Sequence, residues 1–258
     1  MVRGERPLYQ HQPSFKLRLQ ANEGAASAVV SFCTLEWPEI TRNRVEQTLH
    51  SKEQVLFRGY PTHRRKLSFL RGRYAAKQAL IHYQSTNLHQ ICIEQGAFQH
   101  PIVTEQASLS AQVSITHTDG MAAAVAFPAA QPMGIDIQDL NPDHLSLIEG
   151  ESTKVEIDRL RTLPFSYSVA LTLLWTAKEA LSKVLRTGLT LPLTLYEVKD
   201  MTTHGKGILS TYTRFSQYQT FSFIYQNHAC SICYPKLTQI NWLCLELSEM
   251  LKEGNSYS

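Results

Sequence analysis

Glu179 and Lys183 stand four residues apart in the stretch Trp175-Thr176-Ala177-Lys178-Glu179-Ala180-Leu181-Ser182-Lys183. Leu174, Ala177, Leu181 and Val184 recur there at spacings of three and four, which predicts an amphipathic helix with those residues on its buried stripe. A Glu and a Lys at i and i+4 then share a neighbouring edge. The pair is either an exposed ion pair, supporting the helix by about 0.2–0.5 kcal/mol, or a carboxylate and an ammonium offered to a substrate. Two other stretches bear on that choice. In Gly134-Ile135-Asp136-Ile137-Gln138 the alternation of a strand sends Asp136 and Gln138 to one face and Ile135 and Ile137 to the core. A strand-borne Asp and a helix-borne Glu could hold a hard cation, because Mg²⁺ takes one or two carboxylates and fills its octahedron with water and phosphate oxygens. The competing reading of Asp136 is a turn residue at a strand end. Ser114-Ile115-Thr116-His117-Thr118 ends a strand on a histidine, which is either a phosphate contact or a partly buried ring bonded to backbone.

A fourth feature is a charge bias. Between Gln54 and Ile93 there is no Asp or Glu, yet Arg58, Arg64, Arg65, Lys66, Arg71, Arg73 and Lys77 all fall there. Such a run is either a solvated basic face or a site for phosphates, to which Arg offers a fork of donors. No P-loop accompanies it: His204-Gly205-Lys206-Gly207 lacks the GxxxxGK[ST] spacing and reads as a turn.

The elements that must position these residues follow from composition and pattern. The 258 residues, 43% hydrophobic and 18% charged, suffice for one large domain or two smaller halves with a real core. A formal net charge of +3 does not by itself argue for nucleic acid or membrane. The five cysteines form no disulfide framework, and Cys230-x-x-Cys233 in a β-like run reads as strand packing. The first twenty residues lack an apolar signal region, and no run reaches the roughly 18 apolar residues of a membrane helix. A cytoplasmic, reduced protein is the expectation.

Residues 1–26 read as an irregular arm, Ala28–Leu35 as a strand, and a helix is expected near Glu39, after Pro38. His63 to about Gln84 is helical, with Leu67, Leu70, Tyr74 and Ile81 on one face. Ile91–Glu94 is a strand and Gly96-Ala97-Phe98-Gln99-His100-Pro101 a loop. Val113–His117 and Met121–Phe127 form a hairpin about Asp119-Gly120. Phe127-Pro128-Ala129-Ala130-Gln131-Pro132 is the best linker. Beyond it lie a strand at Met133–Gln138, a polar loop through Gly150, a helix over Ser152–Leu163 capped by Ser152, and the long helix, ending near Gly188. Strands are expected at Leu193–Lys199, Gly207–Tyr212, Gln219–Ile224 and His228–Cys233. Ile240, Leu243 and Leu247 mark a last amphipathic helix. Ala75-Ala76-Lys77-Gln78-Ala79-Leu80 echoes Thr176-Ala177-Lys178-Glu179-Ala180-Leu181 at four of six positions. The echo is either chance or the trace of a duplicated helix-plus-strands unit, whose halves would enclose a cleft.

Three motifs together, Ser-Ile-Thr-His at 114–117, Gly-Ile-Asp-Ile-Gln at 134–138 and Trp-Thr-Ala-Lys-Glu-Ala-Leu-Ser-Lys at 175–183, resemble those of the 4′-phosphopantetheinyl transferases of the surfactin-synthetase-activating type. Arg64-Arg65-Lys66-x-x-Phe69-x-x-Gly72-Arg73 and the loop at 96–101 are similar to that family's coenzyme A region, so the resemblance covers about residues 60 to 190. It implies an α+β fold, a pseudo-dimer of two similar α+β halves with the active site at their interface. Residues 1–127 would form one half, 133–258 the other, and 128–132 the linker. It implies Mg²⁺-dependent transfer of the phosphopantetheine arm of coenzyme A to a serine of an acyl or peptidyl carrier protein, releasing adenosine 3′,5′-bisphosphate. Asp136, Gln138 and Glu179 would then hold the metal, although Gln138 departs from the acidic residue often found at its position. Glu179 would deprotonate the serine, directly or through a metal-bound water, and Lys183 would bind the pyrophosphate and assist the leaving phosphate. Thr116 and His117 would contact the coenzyme's phosphates, as would Arg65 and Arg73, while Gln99, His100 and Pro101 flank its adenine. The partner would be an acidic carrier protein, the enzyme a monomer with neither nucleic acid nor membrane as a partner. The rival reading from another class is a non-catalytic nucleotide- or RNA-binding module built on the basic helix. A carrier-independent pyrophosphate hydrolase and an inactive family member are the others.

Overall fold

The computed structural model describes residues 13–21, 24–34, 43, 45–85, 87–104, 111–140 and 145–242. In chain order the elements are β1 (Ser14–Ala21), β2 (Gly24–Thr34), α1 (Ser51–Gly59), α2 (His63–Tyr83), β3 (Cys92–Gln95), β4 (Pro101–Thr104), β5 (Ala111–His117) and β6 (Met121–Pro128). After a turn come β7 (Gly134–Asp139), α3 (Leu145–Gly150), α4 (Lys154–Leu160), α5 (Tyr167–Val184), β8 (Val198–His204), β9 (Gly207–Tyr212), β10 (Tyr218–Tyr225), β11 (His228–Pro235) and β12 (Gln239–Ile240).

Helices and antiparallel strands share the chain, as an α+β fold requires. One sheet has the order β12-β1-β2-β6-β5, the second β7-β11-β10-β9-β8, and β3 pairs with β4 alone. Strand alternation explains the layering. In β2, Ala28, Val30 and Phe32 face the second sheet and join Ile135 and Ile137 of β7 and Phe221, Phe223 and Tyr225 of β10 in a core between the sheets. Phe32 stacks on Tyr225 across it, ring centroids 4.1 Å apart. The other face of the first sheet, with Val29, Cys33, Ala122, Ala124 and Ala126, receives Leu70, Tyr74, Ala75 and Ala79 of α2. Three alanines on β6 let that helix lie close. On the outer face of the second sheet, Ala229 and Cys233 of β11 receive Leu173, Leu174, Ala180 and Leu181 of α5. Cys230 falls in the inter-sheet core and Cys233 against α5, so both cysteines of the C-x-x-C are packing residues on opposite faces.

Each long helix starts at a capped boundary. The hydroxyl of Thr62 accepts from Arg65 N at 3.2 Å, and that of Ser166 from Val169 N at 3.5 Å. Helix α5 and strand β7 meet at Gly134, where a Cβ would stand 2.2 Å from the Ala180 carbonyl oxygen and 3.0 Å from Val184 Cγ2. The obstacle is helix backbone, which cannot turn aside. Gly134→Ala is expected to cost about 1–3 kcal/mol by overpacking. Urea unfolding midpoints check this; an unchanged midpoint contradicts the close approach.

Several expectations are corrected. Residues 14–21 are not part of an irregular arm but strand β1, where Phe15, Leu17 and Leu19 alternate with Lys16 and Arg18. Residues 1–12 lie outside the described residues, as does the helix expected near Glu39. Leu193–Tyr196 is a 3₁₀ turn, so the strand starts later, at Val198. Leu145–Gly150, within the expected polar loop, is the short helix α3. The cap of α4 is Thr153, not Ser152, in a reciprocal capping box with Glu156. Ile240 belongs to β12, paired with Leu19, while Leu243 and Leu247 lie outside the described residues.

The echo between the two long helices has a structural counterpart. Lys77 of α2 is fully buried and bonds Glu53 at 2.7 Å and the carbonyl of Thr48 at 2.9 Å. Lys178 of α5 is buried and bonds Glu156 at 2.8 Å and the carbonyl of Glu151 at 3.0 Å. Each Glu is the third residue of a short helix and closes a capping box there. Each also accepts a strand amide with its second oxygen: Glu53 from Ile93 at 3.1 Å, Glu156 from Val198 at 2.8 Å. Burial lowers the pKa of both lysines, and the paired carboxylate opposes that in each.

Candidate active site

Strands β5 and β7, edges of different sheets, run beside each other and are joined through side chains. Ser114 Oγ accepts the amide of Ile135 at 3.2 Å and Thr116 Oγ1 that of Ile137 at 3.3 Å. This seam brings the first motif against the second. Asp136, 3% exposed, lies on it: its Oδ1 accepts from Thr116 Oγ1 at 2.9 Å and from Lys183 Nζ at 2.7 Å. Lys183 also donates to the Ile135 carbonyl at 2.8 Å, so the lysine of the third motif is tied to the second rather than to Glu179, its i−4 neighbour. Asp136 Oδ2 is buried and has no hydrogen-bond partner among the described residues. A buried carboxylate oxygen without a donor is costly unless a cation faces it.

Glu179 supplies the second carboxylate. It is 8% exposed on α5, and its pKa is pushed up to about 7, first by burial and then by the negative charge of Asp136, with Lys183 opposing. A carboxyl whose folded value exceeds its ordinary 4.5 binds its proton more tightly in the folded state, so its contribution to stability falls as pH rises from about 4.5 to about 7. In EDTA the thermal midpoint is expected to show this decline, and Glu179→Gln to flatten it. An unaltered pH profile in the variant contradicts the assignment. Gln138 follows Asp136 on the same strand face and is half-buried. Among the described residues no group of three or more His, Cys, Asp or Glu could hold a metal; the candidate donors here are the carboxylates of Asp136 and Glu179 and the carboxamide of Gln138. That donor set, with the orphaned Oδ2, fits a cation that keeps places for water and phosphate oxygens.

A cleft borders this centre. One cavity, of about 420 Å³, is lined by Lys183, Arg186, Gln112, Met133, Phe98 and His100 among others. A second, of about 220 Å³, is lined by Arg65, Arg73, His117, Tyr60, Gln99 and Pro101 among others. The two share Gln99, Pro101 and Ile115. His117 ends β5 at the rim with its side chain exposed. Although the residue is exposed, partial shielding of its ring lowers its pKa from 6.5, and the charges of Lys183 and Arg65 lower it further. Arg65 lies over the Tyr60 ring, 5.2 Å from its centroid. The loop between them and the larger cavity is tightly wound. Gly96 N donates to the His100 carbonyl at 2.8 Å, the His100 ring donates to the Ala97 carbonyl at 2.6 Å, and Phe98 and Gln99 have φ of 52° and 61°. A Cβ at Gly96 would meet the His100 ring at 2.4 Å.

Two of the expected coenzyme ligands have other work. Arg73 is buried; its Nε lies 3.2 Å from Glu53 and its Nη2 donates to the Ile93 carbonyl at 3.0 Å, so its charge is balanced inside the fold although it borders the smaller cavity. Thr116 is 5% exposed, its hydroxyl engaged as both donor and acceptor. The basic run is partly engaged as well: Arg64 pairs with the Asp119 carboxylate and Lys77 with Glu53, and Arg71 donates to the Asp119 carbonyl. Arg186 was not anticipated. It follows α5 with φ of 58°, donates to Gln112 Oε1 at 2.9 Å, and lines the larger cavity. Its position just past a helix end, three residues after Lys183, was the available signal.

No helix among the described residues is long and apolar enough to cross a membrane. No curated protein matches the chain. Among solved structures the chain is similar to a holo-(acyl-carrier-protein) synthase from Bacillus anthracis str. Ames in complex with CoA (3′,5′-ADP), with 18% identity over 43% of this chain and 96% of that one and a TM-score of 0.33. Residues 132–233, which include Asp136, Gln138, Glu179 and Lys183, match the family model of the 4′-phosphopantetheinyl transferase superfamily.

Proposed function

We propose that the protein is a 4′-phosphopantetheinyl transferase of the surfactin-synthetase-activating type, moving the phosphopantetheine arm of coenzyme A onto a carrier-protein serine. The observation that carries this reading is Asp136 with one oxygen tied and one orphaned, beside Glu179 and Lys183, within the span of the family match. The same buried Lys–Glu device, found once before and once after the 128–132 segment, supports a pseudo-dimer with its site between two halves. The linker at 128–132 is then the boundary, and β12 reaches back from the second half to the first sheet.

In this reading Asp136 and Glu179 would hold Mg²⁺, and Gln138 is the third protein group that could ligate it. A bound Mg²⁺ would neutralise charge on the pyrophosphate of coenzyme A. Glu179 would take the proton of the serine hydroxyl. The serine oxygen bonds to the phosphorus that carries the pantetheine arm, and the bond from that phosphorus to the bridging oxygen breaks. Lys183 balances the charge that collects on the departing adenosine 3′,5′-bisphosphate. Arg65 and His117 bind the coenzyme's phosphates in the smaller cavity, and Gln99, His100 and Pro101 flank its adenine. An acidic carrier approaches a basic rim, and the enzyme works as a cytoplasmic monomer. The nucleic-acid reading is weakened because Arg73 and Lys77 serve Glu53 inside the fold.

The test follows adenosine 3′,5′-bisphosphate release from coenzyme A. Release that requires both Mg²⁺ and an apo carrier protein supports the proposal. Release without any carrier supports a pyrophosphate hydrolase instead.

A further inference from the structure

We infer that Thr116 is a positioning residue for the cation site, acting through Asp136 rather than by touching the coenzyme. This rests on reading Asp136 and Glu179 as the metal-binding pair. A carboxylate can rotate, and which oxygen it turns outward depends on its donors. Thr116 Oγ1 donates to Asp136 Oδ1 at 2.9 Å, and Lys183 donates to the same oxygen at 2.7 Å. Both donors hold Oδ1, and Oδ2 is the oxygen left for a cation. The threonine hydroxyl is itself fixed, because it accepts the Ile137 amide at 3.3 Å. With a single hydroxyl proton, that acceptor bond commits the proton to Asp136. Thr116 is 5% exposed, which leaves little of it for a phosphate.

The arrangement also crosses the seam. Thr116 lies on β5 and Asp136 on β7, edges of different sheets. The metal ligand of the second half is therefore aimed by a hydroxyl of the first. Partners that orient a ligand in this way typically contribute about 10- to 100-fold in metal affinity. Ser114 is the internal control: on the same seam its hydroxyl accepts the Ile135 amide rather than bonding Asp136.

The experiment measures Mn²⁺ affinity of the full chain with coenzyme A present, from the free-Mn²⁺ electron paramagnetic resonance signal. Thr116→Val is expected to weaken binding by about tenfold or more, Thr116→Ser by less than about threefold, and Ser114→Ala by less than about twofold. Asp136→Ala is the reference and is expected to abolish the site. Wild-type affinity in Thr116→Val, with loss in Asp136→Ala, overturns the inference and leaves the proposed function standing. Equal weakening in Thr116→Val and Ser114→Ala also overturns it, since the hydroxyls would then only hold the seam. Wild-type affinity in Asp136→Ala, or no Mn²⁺ binding by the wild type, overturns both the inference and the metal site.

Discussion

Glu179→Ala and Asp136→Ala are each expected to slow phosphopantetheine transfer by at least about a hundredfold, the order seen when a charge-stabilising group is removed. The two losses have different physical origins. Asp136 is the anchor: without it, Lys183 and the Thr116 hydroxyl lose their shared acceptor, and the cation loses its fixed oxygen. Glu179 is held at an unfavourable charge by burial and by Asp136. Removing its charge should therefore relieve the metal-free fold at alkaline pH while it stops the reaction. Stability and activity should move in opposite directions in Glu179→Gln above about pH 7, a signature that misfolding would not produce. Initial rates under saturating coenzyme A, with urea midpoints from the same preparations, check both parts. Near-normal transfer by either alanine variant removes the carboxylate pair from the account.

The second large effect concerns stability alone. Glu53→Ala and Glu156→Ala should each cost about 3–5 kcal/mol, because each leaves a buried lysine without its counter-charge and a strand amide without its acceptor. Glu53 also faces Arg73, so its removal strands two cations and should be the more damaging. Glu156→Gln/Lys178→Met tests the origin of the loss. It removes both charges, keeps an acceptor for Val198, and should recover at least half the deficit of Glu156→Ala in urea unfolding. No recovery would mean that the ion pair is not what Glu156 supplies.

The sequence made the long elements and the faces that carry the candidate site residues legible for a common reason: their signals are local. In the stripe of Leu174, Ala177, Leu181 and Val184, all on one helix, the first three are buried as expected and Val184 is half-buried. Asp136 and Ile137 point to opposite faces because strand alternation leaves no choice. What escaped was carried by partners distant in the chain. Lys77 and Arg73 read as part of a basic run, a solvated face or a phosphate site, yet the acid that neutralises them, Glu53, stands one residue before the acid-free stretch begins at Gln54. Thr153-x-x-Glu156 had the capping-box pattern in plain view, but nothing in that pattern shows that the same Glu also reaches Lys178 and Val198. The threonine in Ser-Ile-Thr-His reads as a phosphate contact beside His117; only the seam between two sheet edges turns it toward Asp136. β1 could have been found, since Phe15, Leu17 and Leu19 alternate with basic residues. Leu193–Tyr196 misleads in the other direction, being apolar enough for a strand but forming a 3₁₀ turn directly after Pro192.

The measurement that bears most directly on the central claim is intact-mass spectrometry of apo carrier proteins incubated with this protein, coenzyme A and Mg²⁺. A mass gain equal to one phosphopantetheine arm is expected on at least one carrier. The gain should be absent with EDTA and absent when the carrier's acceptor serine is replaced by alanine. An unchanged mass on acyl, peptidyl and aryl carriers alike, from protein that binds coenzyme A and Mn²⁺ normally, would contradict it.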